Sequence, residues 1–221
     1  MKNIVLNIPH SSTLRGSEGW TGDIIREIER WTDIGTEKIF KSKTNNCTAV
    51  VFPYSRFFCD AERLVNDDLE KVGQGIYYTS FNGCHRYESL KQEAYACYVE
   101  HQRRLQSQIN EETLIIDCHS FPSDLFDIDI CIGYNEDWSK PDRDFLTNMK
   151  MYFEGYGYSV SFNKPYSNSI TPEMPFYYKS VMIELNKGIY THQDGSMVDY
   201  LYKINMMLNN MYEKILTEWK Y

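Results

Sequence analysis

The chain has 221 residues, of which 42% are hydrophobic and 24% are charged, a composition typical of a globular protein. Its formal net charge of −8 repels phosphate, and no local run of lysine and arginine offsets it, so a nucleic-acid partner is not expected. The six cysteines include no Cys-x-x-Cys pair, and no apolar run approaches the roughly 18 residues of a membrane span. We therefore expect a reduced, cytoplasmic protein without a membrane partner.

Short apolar runs alternate with longer helical patterns along the chain, which predicts βαβ units. The predicted strands are 4–8, 49–52, 114–117, 128–132, 159–162 and 181–185. The predicted helices are 23–30, 37–43, 88–109 and a final segment with an apolar residue every three or four positions from Met197 to Ile215. The expected fold is a single α/β domain over residues 1–221, a mixed, mostly parallel sheet with helices on both faces. Two stretches rich in Gly, Pro, Asn, Ser and Tyr, 66–85 and 163–178, are predicted to be loops over a site.

Two histidines follow buried strands, His10 after the first and His119 after the run that ends at Asp117. In an open α/β sheet, ligands collect beyond the carboxyl ends of the strands, so two such imidazoles are placed to meet. Neutral imidazole is the commonest zinc ligand, and a carboxylate usually holds its other ring nitrogen; Asp60 and Asp117 could serve. The pattern predicts a metal site, although a histidine at a strand end can also be a structural hydrogen-bonding group.

Charges and residues that favour burial alternate in the segment 54–64, where Arg56, Asp60, Glu62 and Arg63 surround two phenylalanines and a cysteine. Loop charges are usually solvated ion pairs. Here, however, some of them must follow the apolar side chains into a partly dry place. Buried arginines need carboxylates, from the protein or from a substrate.

The predicted strand 181–185 contains a single acid, Glu184, among apolar residues. A carboxylate in such a place is costly unless it is paired, bound to a metal or functional, and we favour a functional group here. A Ser or Cys hydrolase that uses Cys118 or Ser120 with His119 is excluded, because neighbouring residues on a strand point to opposite faces. Cys118 is expected in the core.

Five short motifs follow one another in order: Pro9-His10-Ser11; Arg56 with Asp60-Ala-Glu62-Arg63; Asp117-Cys-His119-Ser120; Pro165-Tyr166; and Ile183-Glu184-Leu185-Asn186 with Tyr190. This ordered set, which spans nearly the whole chain, resembles the N-formylglutamate amidohydrolase family. That family is similar in turn to zinc carboxypeptidases and aspartoacylases. The resemblance implies a zinc-exopeptidase-like α/β fold and a hydrolytic site with one zinc ion.

The resemblance also implies a role for each matching residue. His10 and His119 match the metal-binding histidines, and Asp60 matches the acid that orients His10; Asp117 would support the second histidine. Further roles are oxyanion stabilisation by Arg56, a bidentate grip on a substrate carboxylate by Arg63, general-base catalysis by Glu184, and substrate binding by Ser120, Tyr166 and Asn186.

The chain departs from the related patterns at two positions. The wider carboxypeptidase pattern has a glutamate three residues after its first histidine, but this chain has Thr13 there. We favour Asp33 as the third metal ligand, with Glu62 as the alternative; Asp33 could equally be a helix N-terminal acid that interacts with the helix dipole. Related hydrolases often have Asn where this chain has Glu62. The extra charge would either weaken the hold of Arg63 on an anion or bind metal.

The function that the resemblance implies is zinc-dependent hydrolysis of a small N-acylated acidic amino acid, such as N-formyl-L-glutamate, to formate and glutamate. Iron, cobalt or manganese could occupy the same kind of site. Two alternatives stay open: hydrolysis of a short peptide or another acyl amino acid, and a non-catalytic homologue that binds a metal or ligand. The presence of Glu184 and both histidines favours catalysis. The oligomeric state is not determined by the sequence.

Overall fold

The computed structural model describes residues 1–192 and 201–221. Their strands are β1 (Asn3–Ile8), β2 (Cys47–Val51), β3 (Ser80–Phe81), β4 (Cys84–His85), β5 (Thr113–Phe121), β6 (Ile130–Gly133), β7 (Val160–Phe162) and β8 (Lys179–Asn186). The α-helices in the same ranges are α1 (Ile24–Trp31), α2 (Thr36–Phe40), α3 (Lys91–Gln106), α4 (Arg143–Gly155) and α5 (Leu201–Thr217).

The chain divides into two compact units. The first comprises Met1–Ile8, Gly35–Val50 and Leu105–Tyr221, and the second comprises Pro9–Ile34 and Val51–Arg104. A single domain over residues 1–221 stays a prediction.

The first unit is built on a sheet whose strand order, over the described part of the chain, is β2-β1-β5-β8-β6-β7. β5 runs parallel to β1 and β8, β6 runs antiparallel to β8, and β7 runs parallel to β6. Helices α2 and α5 pack on β1, and α4 packs on β7. The predicted α/β fold, a mixed and mostly parallel sheet flanked by helices, is confirmed.

The central strand is longer than the sequence predicted. All nine residues of β5 are buried, and its ladder with β8 continues to the pair Phe121 and Asn186. His119 therefore lies inside the strand, two residues before its end, rather than just beyond it. Pairing with β8 keeps the backbone extended beyond Asp117, where the predicted strand ended.

The predicted helices are present with shorter bounds for two of them. α2 ends at Phe40 rather than at 43, and α3 spans Lys91–Gln106 rather than 88–109. The apolar stripe of α5 is buried as predicted, with Ile204, Leu208, Met211 and Ile215 in the core. Met197, the first residue of that predicted stripe, lies outside the described residues.

The second unit has two aromatic cores. One contains Phe52 and Phe58 together with Ala94, which belongs to α3. The other contains Trp20, Phe57 and Tyr78. The segment 66–85, which was predicted to be a loop, contains some regular secondary structure: a 3-10 helix (Asp68–Val72) and the hairpin β3–β4.

Two general expectations concern the whole sequence. Every cysteine lies in a described position and none forms a disulfide. Within residues 1–192 and 201–221, the helices are all too short or too polar to cross a membrane.

Candidate functional site

Asp60 is the centre of a buried polar cluster in the second unit. Its side chain has no exposed surface, and both carboxylate oxygens are engaged. Oδ1 lies 2.7 Å from His10 Nε2 and accepts a hydrogen bond from the backbone N–H of Glu62 at 3.2 Å. Oδ2 accepts from the Tyr78 hydroxyl at 2.8 Å and from Arg56 Nη2 at 3.2 Å. The contact expected between Asp60 and His10 is therefore present.

Two arginines balance the charge of Asp60. Besides Arg56, Arg63 places its Nε 3.5 Å from Asp60 Oδ2 and donates from Nη2 to the Tyr78 hydroxyl at 3.3 Å. Burial alone would raise the pKa of Asp60, but His10 and the two guanidinium groups hold it well below its ordinary value. Asp60 is thus an ionised acceptor, and the partly dry place predicted for the segment 54–64 exists.

The charge of Asp60 fixes which ring nitrogen of His10 carries the proton. An ionised carboxylate can only accept hydrogen bonds, so Nε2 of His10 must donate to it. The other nitrogen, Nδ1, lies 3.8 Å from Asp33 Oδ2 and 3.8 Å from Glu62 Oε2. Both distances are longer than a hydrogen bond. They are close to the separation of roughly 3.3 Å between two ligand atoms of one tetrahedral zinc ion.

Both residues considered for the third ligand therefore flank His10. Asp33 is buried, and its backbone N–H donates to the carbonyl of His10 at 2.9 Å. The Glu62 side chain is 22% exposed. Asp33 lies in the turn between α1 and α2, before the N-cap residue Gly35, so it is outside the first turn of α2. The alternative interpretation as a helix N-terminal acid is thus weakened.

The first unit presents a row of polar side chains on three adjacent strands. His119 of β5 is the register partner of Glu184 of β8, and Asp117 is the partner of Asn7 of β1. Register partners, and residues two apart on a strand, share one face of a sheet, so these four side chains do so. All are buried or nearly so, Glu184 at 8% exposure.

Asp117 holds this row in place. Its Oδ1 accepts from the Asn7 side-chain amide at 2.7 Å and lies 3.2 Å from His119 Nε2, while its Oδ2 accepts from the backbone N–H of Ile170 at 3.1 Å. The carboxylate therefore lies beside His119, while it accepts hydrogen bonds from Asn7 and Ile170; support of His119 by Asp117 stays a prediction.

Three residues predicted to bind substrate have other surroundings. The Asn186 amide donates to the carbonyls of Phe126 and Ile128 and accepts from the backbone N–H of Gly188. Ser120 follows His119 directly on β5, so it points to the opposite face. Tyr166 packs against Phe121 and Phe126. Substrate contacts by Ser120, Tyr166 and Asn186 stay predictions.

The Cys118 thiol is a core group, as predicted. It is buried and donates to the carbonyl of Ile116, and burial raises its pKa well above the ordinary value. A thiol that keeps its proton is a poor nucleophile.

Sequence reasoning missed two residues of these clusters. Asn7 interrupts the apolar run of β1, and this is the same signal that identified Glu184 in β8. Tyr78 lies in a stretch predicted to be irregular, and nothing local distinguishes it from the other tyrosines there. Its role depends on a contact with Asp60, which is 18 positions away.

The side-chain chemistry suits a metal ion. In the second unit, the His10 imidazole and the carboxylates of Asp33 and Glu62 are donors of the kind that bind metals, and in the first unit His119 is a further imidazole. Zinc is bound in proteins by this combination of nitrogen and oxygen donors, and other first-row divalent metals accept it too.

The fold and these donors define an α/β protein with a candidate metal site. Residues 2–191 match the family model described as N-formylglutamate amidohydrolase, and the chain belongs to that family.

The fold is shared with two solved structures. The first is a crystal structure of N-formylglutamate amidohydrolase from Ralstonia eutropha, with a TM-score of 0.78 and 14% sequence identity over 97% of this chain and 94% of that chain. The second is a gene product from Agrobacterium tumefaciens, with a TM-score of 0.67 and 16% identity over 98% of this chain and 91% of that chain. A search of the curated proteins gave no match.

Proposed function

We propose that the protein is a metal-dependent amidohydrolase that cleaves the linear amide bond of a small N-acylated acidic amino acid. N-formyl-L-glutamate, the substrate in the family's name, would give formate and glutamate. The observation that carries the proposal is the environment of His10, where Asp60 holds one ring nitrogen and two carboxylates lie 3.8 Å from the other.

The proposed ligands are His10, His119 and one carboxylate, either Asp33 or Glu62. Two imidazoles and a carboxylate leave a fourth position open in a tetrahedral zinc site. A bound divalent metal would polarise the acyl carbonyl and lower the pKa of the attacking water.

The charges around Asp60 support an anionic substrate. In this cluster three carboxylates face two guanidinium groups, and a divalent cation would turn the excess from negative to positive. Arg56 would stabilise the oxyanion that develops on the acyl oxygen when water adds to the acyl carbon, and Arg63 would bind the substrate carboxylate. Because Asp60 anchors both guanidinium groups, they are oriented before the substrate arrives.

Glu184 is the proposed general base. It would take a proton from the attacking water and return it to the leaving amine. Its position supports this role, because it lies on β8 in register with His119 and is only 8% exposed. No other acid lies within the buried core of β5 or β8 except Asp117, whose carboxylate is engaged by Asn7 and Ile170.

The decisive experiment combines metal analysis of the purified protein with a deformylation assay. His119→Ala is expected to lose metal and activity together, whereas Glu184→Gln should retain metal and lose most turnover. Matched controls are His85→Ala and Glu218→Gln, which remove an exposed histidine and an exposed glutamate. Full activity of Glu184→Gln would show that the proposed base is wrong.

A substrate panel separates this proposal from its alternatives. N-formyl-glutamate, other acyl amino acids and short peptides should be compared, since the segments 66–85 and 163–178 are expected to decide which substrate fits. Stoichiometric metal without turnover of any of them would favour a non-catalytic homologue.

We also propose a cytoplasmic location, supported by the absence of disulfides among the six cysteines.

A further inference from the structure

We infer that Tyr78 is a positioning residue whose hydroxyl links Arg63 to Asp60 and thereby sets the orientation of the His10 imidazole. The inference rests on the proposed function, because it assigns Tyr78 to the support of the proposed metal and substrate site. Every contact that carries it lies within the second unit.

The ring of Tyr78 is held firmly in the aromatic core. Only 1% of the residue is exposed. Phe57 meets the ring edge-on, with centroids 5.8 Å apart and planes at 77°, and Phe81 stacks on it at 5.9 Å and 16°. A tyrosine has two side-chain torsions, and this packing restricts both, so the hydroxyl has a defined position.

That hydroxyl uses both its donor and an acceptor site. It donates to Asp60 Oδ2 at 2.8 Å and accepts from Arg63 Nη2 at 3.3 Å. Burial, reinforced by the charge of Asp60, raises the pKa of the phenol, so it remains a donor at neutral pH. Tyr78 thus connects the two charged groups at one fixed point.

The consequence reaches His10 through Asp60. Oδ2 is held by Tyr78 and Arg56, and these two donors fix the plane of the carboxylate. The same plane places Oδ1 on His10 Nε2 at 2.7 Å. Without the hydroxyl, the carboxylate gains rotational freedom, the imidazole loses its fixed direction, and Arg63 loses a partner.

The test compares Tyr78→Phe with Tyr77→Phe. The first variant keeps the ring and its aromatic packing but removes the hydroxyl. Tyr77 is the matched control, because its hydroxyl also makes partly buried hydrogen bonds, to the carbonyl of Glu88 at 2.7 Å and from the N–H of Leu90 at 3.0 Å. The hydroxyl of Tyr77 contacts Glu88, Arg86 and Leu90 rather than Asp60 or Arg63, so a purely structural loss should appear equally in both variants.

The measurements are zinc affinity by competition with a chromogenic chelator, thermal unfolding of the metal-free protein, and KM and kcat for N-formyl-glutamate. For Tyr78→Phe we expect zinc affinity to fall by roughly 10-fold, the lower end of the loss that follows removal of a group bonded directly to a ligand, because Tyr78 acts on His10 through Asp60; KM should rise. Tyr77→Phe should lower the unfolding temperature and leave zinc affinity and KM unchanged.

The outcomes are distinguishable. If wild-type protein binds zinc and Tyr78→Phe binds it equally well, the inference is wrong and the proposed function stands. Equal losses of zinc affinity in Tyr78→Phe and Tyr77→Phe also overturn it, because they indicate a general structural effect. If the wild-type protein neither binds zinc nor hydrolyses any substrate of the panel, both the inference and the proposed function fail.

Discussion

The side chain of His10 lies between two carboxylates that compete for the same role. Asp33 and Glu62 are each 3.8 Å from its Nδ1, so distance alone does not select between them. Asp33 is buried and its backbone N–H donates to the carbonyl of His10, whereas the Glu62 side chain is 22% exposed.

Substitution of each acid separates the two. We expect whichever of Asp33→Asn and Glu62→Gln removes a ligand to weaken zinc binding by more than about 100-fold, since a lost ligand costs more than a lost supporting contact. Zinc affinity by chelator competition is the measurement, with Asp68→Asn as an exposed control. Unchanged affinity in both variants would contradict a ligand role for either acid.

His101 is a buried histidine. Burial, with help from the charges of Arg104 and His10, lowers its pKa to about 3. In the unfolded chain the same group titrates near 6.5. Between pH 3 and pH 6.5, His101 is therefore protonated in the unfolded chain but neutral in the folded protein. The contribution of His101 to stability is complete above pH 6.5 and is lost as the pH falls towards 3.

His101→Gln should accordingly flatten the pH dependence of stability in the metal-free protein. We expect the difference in unfolding free energy between pH 7 and pH 4 to be smaller than in wild type by about 3 kcal/mol. Urea unfolding in the presence of a chelator measures it, and His85→Gln is the exposed control. If the pH dependence of stability is the same in His101→Gln as in wild type, this histidine takes up its proton equally readily in the folded and unfolded states.

At the level of elements, the end of α2 depends on a residue of α5. The side-chain amide of Asn205 donates to the carbonyls of Ile39 and Lys41, both at 2.8 Å, with Lys38 at 3.2 Å. The last carbonyls of a helix have no partner within it. This contact explains why α2 ends at Phe40, before the predicted residue 43.

Asn205→Ala should therefore destabilise the protein by about 2 kcal/mol, because it removes the donor to the buried carbonyl of Ile39. Asn210→Ala on the same helix changes the same residue type at an exposed position and should alter stability by only a few tenths of a kcal/mol, about the difference in helix propensity. Chemical denaturation of the two variants measures the difference, and equal effects would show that the contact contributes little.

At the level of the whole molecule, metal binding should be coupled to stability. A ligand that binds only the folded state at 100 times its Kd contributes about 2.7 kcal/mol. For a chain of this size we expect zinc to raise the melting temperature by roughly 5 to 11 °C. Thermal unfolding with zinc and with a chelator tests this. The shift should disappear in His119→Ala and persist in His85→Ala; a shift retained in His119→Ala would place the zinc elsewhere.

The sequence by itself determined the fold class and the residues worth testing. Short apolar runs located the strands of the six-stranded sheet, and an apolar residue at every third or fourth position located the stripe of α5. Motif order along the chain indicated the family to which it belongs, and a lone acid in an apolar strand identified Glu184.

Only the tertiary structure decided the length of β5, the end of α2, the position of Asp33 outside the helix, and the part played by Tyr78 and Asn7. Each of these depends on a hydrogen bond between residues far apart in sequence, such as Tyr78 with Asp60 or Asn205 with Lys41. Local patterns carry information on which face of an element is buried, but not on which distant polar group it meets there. For that reason strand and helix ends, and the partners of buried charges, could not be predicted from the sequence alone.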